Sequence, residues 1–358
     1  MNIKGNLKYV IIGSILFLLI YMFIAAIPMG SDIYFEPAWT VDITKPVTTD
    51  PAKFKDTSLE GFSLGNRFGY FTADGTILSS TETDERVTVS PDAWARYPEN
   101  ADTTDIFNPD GSKRMTIAAS GFTHLDDGRT YLFLPGGDAV SQYDDTGKKL
   151  WTREHTAPIT AFNSSPRGTI IGYADGQVTA MKSDGSVLFS FYPEGSDYQV
   201  IMGVALSEDG TLAACVCGID KQRFLLIRIT NGQYKVVFHT WLEGNLHRQA
   251  FVDFEKSGAY AFFEYSHGIG IVDCVKRSAN LIPSEGEVVN MGEYPGNNLF
   301  LALVKNGTSY TLEAIERPNH LLATTRFTAE NAFLIQRKEA VFLGMDDRIS
   351  RINIRGIK

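Results

Sequence analysis

The side chains able to do chemistry are few in this chain and far apart. Histidines stand at His124, His155, His239, His247, His267 and His320, and none forms the compact His-x-x-x-His pair that ligates a metal from one helix face. The cysteines are Cys215, Cys217 and Cys274, an odd number, which leaves at least one thiol unpaired in an exported monomer. Cys215 and Cys217 lie in LAACVCGI, where strand alternation puts both on one face. A disulfide between them has unfavourable geometry, and a metal site lacks a second ligand pair. They read as small buried hydrophobes in a sheet. No Asp or Glu can be assigned to acid–base work from its spacing. HGIGIVDC has close glycines but sits between strands, so no nucleotide loop is expected. No catalytic, cofactor-binding or metal-binding residue and no cofactor is therefore expected.

Residues this dispersed come together only if the elements between them fold back repeatedly. From Phe62 to Lys358, short alternating apolar runs are separated by Gly, Asp and Asn, the pattern of an all-β protein. The cleanest unit runs from Pro158 to Tyr192. Its strands read ITAFNSS, TIIGYA, QVTAMKS and SVLFSFY, with Asp-Gly at two of the turns. Four antiparallel strands joined by short turns make one propeller blade. Gly128, Gly168, Gly210, Gly258 and Gly296 follow the first strand of successive units at an average spacing of 42 residues, within the ~40–45 of a propeller repeat. The span predicts a β-propeller of about seven blades, with a range of six to eight. The last unit has three strands, so an N-terminal strand within Phe62–Thr72 is expected to complete it. The irregular stretch from Gly65 to Gly121 reads as one blade with an insertion near Tyr97–Thr104.

One repeat is more specific. In DAVSQYDDTGKKLWTRE, Asp144, Thr146, Gly147 and Lys148 form a turn and Trp151 follows on the fourth strand. Asp and Thr can close such a turn with local hydrogen bonds, and Gly takes the left-handed conformation. This unit resembles the repeat of quinoprotein-like (PQQ-like) propellers, while SEDGTLAAC is similar to the WD40-type hairpin. The resemblance implies a propeller in which Trp151 packs between blades. Quinoprotein dehydrogenases of this kind hold a quinone and calcium in the central funnel, and many have a disulfide between adjacent cysteines. This chain has no adjacent pair and one good motif instead of a series. The resemblance is closer to the non-enzymatic scaffolds built from the same repeat, among them the lipoprotein of the bacterial outer-membrane protein assembly machinery.

The N-terminal part differs in kind. Residues 1–8 are short and basic, with Lys4 and Lys8. Tyr9 to Ile27 contains no charge, and at ~1.5 Å per helical residue its length approaches the ~30 Å of a bilayer core. It is longer than a signal-peptide apolar region and no Ala-x-Ala site follows, which favours an uncleaved anchor over a cleaved signal. The flanking charges place the N-terminus in the cytoplasm and the propeller on the extracytoplasmic, or periplasmic, side of the inner membrane. Residues 28–61 are punctuated by Pro28, Pro37, Pro46 and Pro51 and read as a linker before the propeller at 62–358. Trp39 within it is either a membrane-interface aromatic or docked on the propeller.

Hydrophobic residues make up 44% of the 358 and charged residues 21%, enough to bury a core. The net charge of -9, with Lys and Arg scattered, argues against nucleic acid as a partner. Connections at Pro193–Val200 and Trp241–Gln249 are longer than a tight turn, and Trp241, His247 and Arg248 are residue types of interface hot spots. The expected function is a non-catalytic, membrane-anchored scaffold that binds a protein in the cell envelope. A quinone- or metal-dependent periplasmic enzyme and a ligand-sensing subunit of a membrane complex are the alternatives.

Overall fold

The computed structural model describes residues 13–18, 21, 33–45, 47, 58–97, 101–294, 298–337 and 340–356. The expected span Tyr9–Ile27 lies largely outside them. Residues 13–18 and 21 are helical, and no helix among the described residues is long and apolar enough to cross a membrane. The chain divides into two compact units, residues 1–36 with 354–358, and residues 37–353. In the first, the ring of Phe17 stacks on Tyr21 at 6.4 Å and Arg355 pairs with Glu36 at 2.7 Å.

The strands form eight antiparallel sheets, each a blade. The chain begins with β1 (Tyr34–Asp42). Blade 1 is β2 (Leu59–Leu64), β3 (Arg67–Thr72) and β4 (Ile77–Glu82). Blade 2 is β5 (Arg86–Val89), β6 (Trp94–Tyr97), β7 (Thr104–Phe107) and β8 (Lys113–Ile117). Blade 3 is β9 (Phe122–Asp126), β10 (Arg129–Phe133), β11 (Ala139–Tyr143) and β12 (Lys149–Glu154). Blade 4 is β13 (Ile159–Ser165), β14 (Gly168–Tyr173), β15 (Val178–Lys182) and β16 (Val187–Phe191). Blade 5 is β17 (Ile201–Leu206), β18 (Leu212–Cys217), β19 (Arg223–Thr230) and β20 (Gln233–Trp241). Blade 6 is β21 (Val252–Phe254), β22 (Tyr260–Tyr265), β23 (Gly268–Asp273) and β24 (Ser278–Pro283). Blade 7 is β25 (Glu287–Tyr294), β26 (Leu299–Asn306), β27 (Ser309–Glu316) and β28 (His320–Thr328). Blade 8 is β29 (Ala332–Arg337), β30 (Ala340–Met345), β31 (Arg348–Arg355) and, at its outer edge, β1.

Two expectations change here. The strand that completes the last blade is β1, not a strand within Phe62–Thr72, which holds β2 and β3 of another sheet. Thr40 and Ser350 hydroxyls bond at 2.8 Å and Ile43 N–H donates to Asp347 O, so β1 runs antiparallel to β31. Pro37 lies on an edge strand, the position within a sheet to which proline is confined. The blade count is eight instead of about seven, because Gly65 to Gly121 holds two sheets. Blade 2 hides there because β5, β6 and β7 are four residues each and only three residues separate β4 from β5.

Blade 1 also differs in polarity. Glu60 at the start of β2 pairs with Arg337 at the end of β29, while Leu64 and Gly65 lie with Glu330 and Asn331 near the start of β29. The innermost described strand therefore runs opposite to β29. In direction its three strands correspond to the second, third and fourth of the other blades.

The middle strands explain the stability. Every residue of β14, β18 and β23 is buried, since a central strand of a blade is covered by a neighbouring blade on each face. Outer strands such as β12 and β28 are mostly exposed. Between blades 5 and 6, Phe224 stacks on Phe263 at 4.5 Å within a shared apolar cluster. Each such side chain, fully buried, contributes about 1.5–3 kcal/mol. Cys215 and Cys217 lie on one face, buried with free thiols in the cluster between blades 4 and 5.

The Asp144 turn shows how blades are tiled. Asp144 Oδ1 accepts from the backbone N–H of Thr146 (2.9 Å) and Lys148 (3.0 Å) and from the Thr146 hydroxyl (2.6 Å). These bonds hold its carboxyl below the ordinary Asp range. The same local closure occurs at Asp74, Asp110, Asp184 and Asp209. Trp151 lies between blades 3 and 4, its indole donating to Gln142 at 2.7 Å. Gly185, in the Asp184 turn of blade 4 at φ 82°, sits on that indole; a Cβ there would lie 2.5 Å from Trp151. Gly75, in the Asp74 turn of blade 1 at φ 93°, sits in the same way on Trp39 of β1, where a Cβ would lie 2.9 Å from the ring. Trp39 thus packs on the propeller, 5.9 Å from Phe342 and 6.4 Å from Phe71.

Candidate functional site

In blades 2 to 7 the first-to-second and third-to-fourth strand turns lie at one end, the turn end. The links between blades and the second-to-third strand turns lie at the other, the link end. Asp144, Thr146, Gly147 and Lys148 belong to the turn end of blade 3, where their bonds are spent on the turn. Trp241, His247 and Arg248 belong to the link end, at the junction of blades 5 and 6.

The structure separates these last three. Trp241 ends β20 opposite Arg223, whose guanidinium carbon lies 5.3 Å from the ring centroid. Gly195 of the preceding link comes over the same ring at φ 109°, and a Cβ there would lie 2.9 Å from Trp241. Half of the Trp241 surface is nonetheless exposed. His247 is exposed in the next link. Arg248 turns inward. Its guanidinium donates to both oxygens of Glu264 at 2.6 and 2.8 Å, and Glu264 is buried. Glu264 also accepts the backbone N–H of Phe251 (3.2 Å) and of Val288 (2.8 Å). The pair therefore ties the link, blade 6 and blade 7, and the carboxylate raises the Arg248 pKa above its ordinary value.

The link of residues 192–200 is held as firmly. Ser196 bonds Asp220, Tyr198 N–H reaches Asp220 at 3.3 Å, Gly218 N–H donates to Val200 O and Ile219 N–H donates to Tyr198 O. The Ser196 hydroxyl, followed by nearby backbone N–H groups, holds Asp220 below the ordinary Asp range. Gln222, buried, donates to Leu246 O at 2.6 Å and accepts Leu246 N–H at 2.8 Å, clamping the second link. The result is a rigid surface on which Tyr192, Tyr198 and Trp241 remain 47%, 66% and 50% exposed. A cavity of about 400 Å³ lined by Asp220, Lys221, Trp241 and Leu242 adjoins it.

Other chemistry-bearing groups are dispersed. His155 pairs with Asp175 at 2.8 Å, His320 with Glu316 at 3.2 Å, and His124 packs on Phe162 at 5.4 Å, with burial lowering its pKa. Among the described residues no three His, Cys, Asp or Glu side chains form a cluster able to hold a metal. Gly61 to Gly65 spells Gly-x-Ser-x-Gly, a motif the sequence reading held to be absent. It lies on β2 and turns into another strand, so it lacks the strand-to-helix elbow that exposes a nucleophile. Tyr198 falls inside a loop that the sequence singled out by length. Glu264 did carry a signal, a carboxylate inside the apolar run AYAFFEY.

The solved structure of BamB from Moraxella catarrhalis is similar, with a TM-score of 0.62 and 8% identity, covering 89% of this chain and 100% of that one. The Dos1 propeller matches with a TM-score of 0.58 and 13% identity over 89% of this chain and 95% of that chain. These likenesses show the fold. An uncharacterized protein of Treponema pallidum (strain Nichols) is 42% identical over 364 residues, covering 100% of this chain and 97% of its own. The family described as beta-propeller protein matches residues 1–358, and the chain belongs to it.

Proposed function

We propose that this protein is a non-catalytic scaffold that presents the link end of blades 4 to 6 to a protein partner. The observation behind the reading is the exposure of Tyr192, Tyr198 and Trp241 on links whose backbone is tied down. Exposed aromatics on a pre-ordered surface lose little conformational entropy on binding, and such residues dominate interface energetics. The fold is compatible with a protein-binding scaffold. The resemblance of the Asp144–Trp151 repeat to quinoprotein-like propellers, nearer to their scaffold members, points the same way.

In this reading the propeller is tethered in the inner membrane by Tyr9–Ile27 and faces the envelope. The uncharged run supports the tether, as does the exposure of Ile15, Leu16, Phe17 and Leu18 at 54–70%. The test is a crosslinking capture from native membranes, comparing the intact protein with Trp241→Ala and Tyr198→Ala. A recurring envelope protein whose yield falls at least tenfold in the variants supports the proposal. A partner captured equally by all three, or a bound quinone or metal with no partner, sinks it.

A further inference from the structure

A second feature of the link end lies between blades 6 and 7, away from the aromatic surface. It is a cleft of about 810 Å³. One wall is the His267 turn and the Ser284 link of blade 6; the other is a face of β27 and β28. On that face Glu313 stands opposite Thr324, and Thr311 opposite Arg326. Positions two apart on a strand share a face, so the carboxylate and the guanidinium are diagonal neighbours, their stems about 7–8 Å apart.

Glu313 is the unusual member. It is 4% exposed. Its Oε1 accepts the Ser284 hydroxyl at 2.8 Å, while Oε2 is buried and meets no donor among the described residues. Burial pushes its pKa up. A buried carboxylate oxygen without a donor costs free energy, a cost that buried Glu264 avoids by satisfying both oxygens. Arg326 is exposed and forms no ion pair among the described residues. A buried acceptor lacking a donor and a free planar donor therefore face one polar cleft, at a spacing that one small molecule can span.

We propose that this cleft binds a small zwitterion of the amino-acid type, its ammonium on Glu313 and its carboxylate on Arg326. The Thr311 and Thr324 hydroxyls between the two charged groups supply further hydrogen bonds. The proposal does not depend on the protein partner.

The test is calorimetric titration of the full-length protein in detergent with glycine, L-alanine and D-alanine, beside ethylamine and acetate, which carry one charge each. At least one amino acid is expected to bind at millimolar concentration or below, tenfold or more tighter than either single-charge probe. Glu313→Gln, which keeps a partner for Ser284, and Arg326→Ala are each expected to weaken binding at least tenfold. Glu313→Leu is expected to abolish binding while leaving the unfolding midpoint of the ligand-free protein unchanged or higher. The proposal is overturned if none of the three amino acids binds, if ethylamine or acetate binds as well, or if binding survives Glu313→Leu and Arg326→Ala.

Discussion

Two seams of the propeller use the same device, and only one of them is local. At the seam of blades 3 and 4, Trp151 on an outer strand receives Gly185 of the next blade. At the seam of blades 8 and 1, Trp39 receives Gly75. In both, an Asp-containing turn presses its glycine onto an indole about one repeat earlier in the chain. The difference lies in the strand that carries the tryptophan. Trp151 sits on β12, whose ladder partner β11 precedes it by a five-residue turn. Trp39 sits on β1, whose partner β31 is at the other end of the chain. The repeat therefore begins before the segment that reads as propeller, and the ring is closed by a strand that reads as linker.

The largest expected effect follows from that asymmetry. A chain beginning at Ser58 lacks β1, which leaves β31 as the outer edge of blade 8 and removes Trp39 from Phe342. It is expected to lose the single cooperative unfolding transition that the intact protein shows in urea, with blade 8 protease-sensitive first. A retained single transition at the same midpoint would mean that closure contributes little.

Single tryptophans sharpen the comparison. Trp39→Ala and Trp151→Ala each remove a half-buried aromatic from a seam and are expected to cost about 2–3 kcal/mol in urea unfolding. In limited proteolysis Trp39→Ala should release the N-terminal strand, whereas Trp151→Ala should not, because hairpin β11–β12 stays paired. Equal release would break the distinction between the seams.

Turn glycines come next. Gly75→Ala and Gly185→Ala place a side chain at positive φ against an indole and are expected to cost about 1–2 kcal/mol each. The smallest effect is electrostatic. Hydrogen bonds from Thr72 and Thr76 hold the folded-state pKa of Asp74 below the ordinary Asp value. Its contribution is present above the unfolded pKa and is lost as pH falls through the folded value. The Asp74→Asn protein should therefore lose less stability between neutral pH and the acid limb than the parent, by a small amount because the turn is exposed. Parallel acid profiles would show that the turn does not use the charge.

Blade 4 was legible almost strand by strand, since Asp-Gly turns at two of its three connections separate short alternating runs. Blade 2 was not, because strands of four residues give alternation too little length to show. β1 was hidden by Pro37, a residue that argues against a central strand but not against an edge. Trp241 was singled out by residue type and loop length, and half of its surface is exposed. Arg248 was found by the same logic, yet its partner Glu264 lies in a strand of the next blade, and no local pattern joins them. Glu313 and Arg326 were missed for the same reason: their relation is a register, and register is not written in either strand alone.

The most direct test of the account is site-specific photo-crosslinking in intact cells from two positions, Tyr198 at the link end and Ser112 at the turn end. The scaffold reading predicts one recurring adduct from position 198, absent from position 112 and lost when Trp241→Ala is added. No adduct at 198, or the same adduct from both ends, would contradict it.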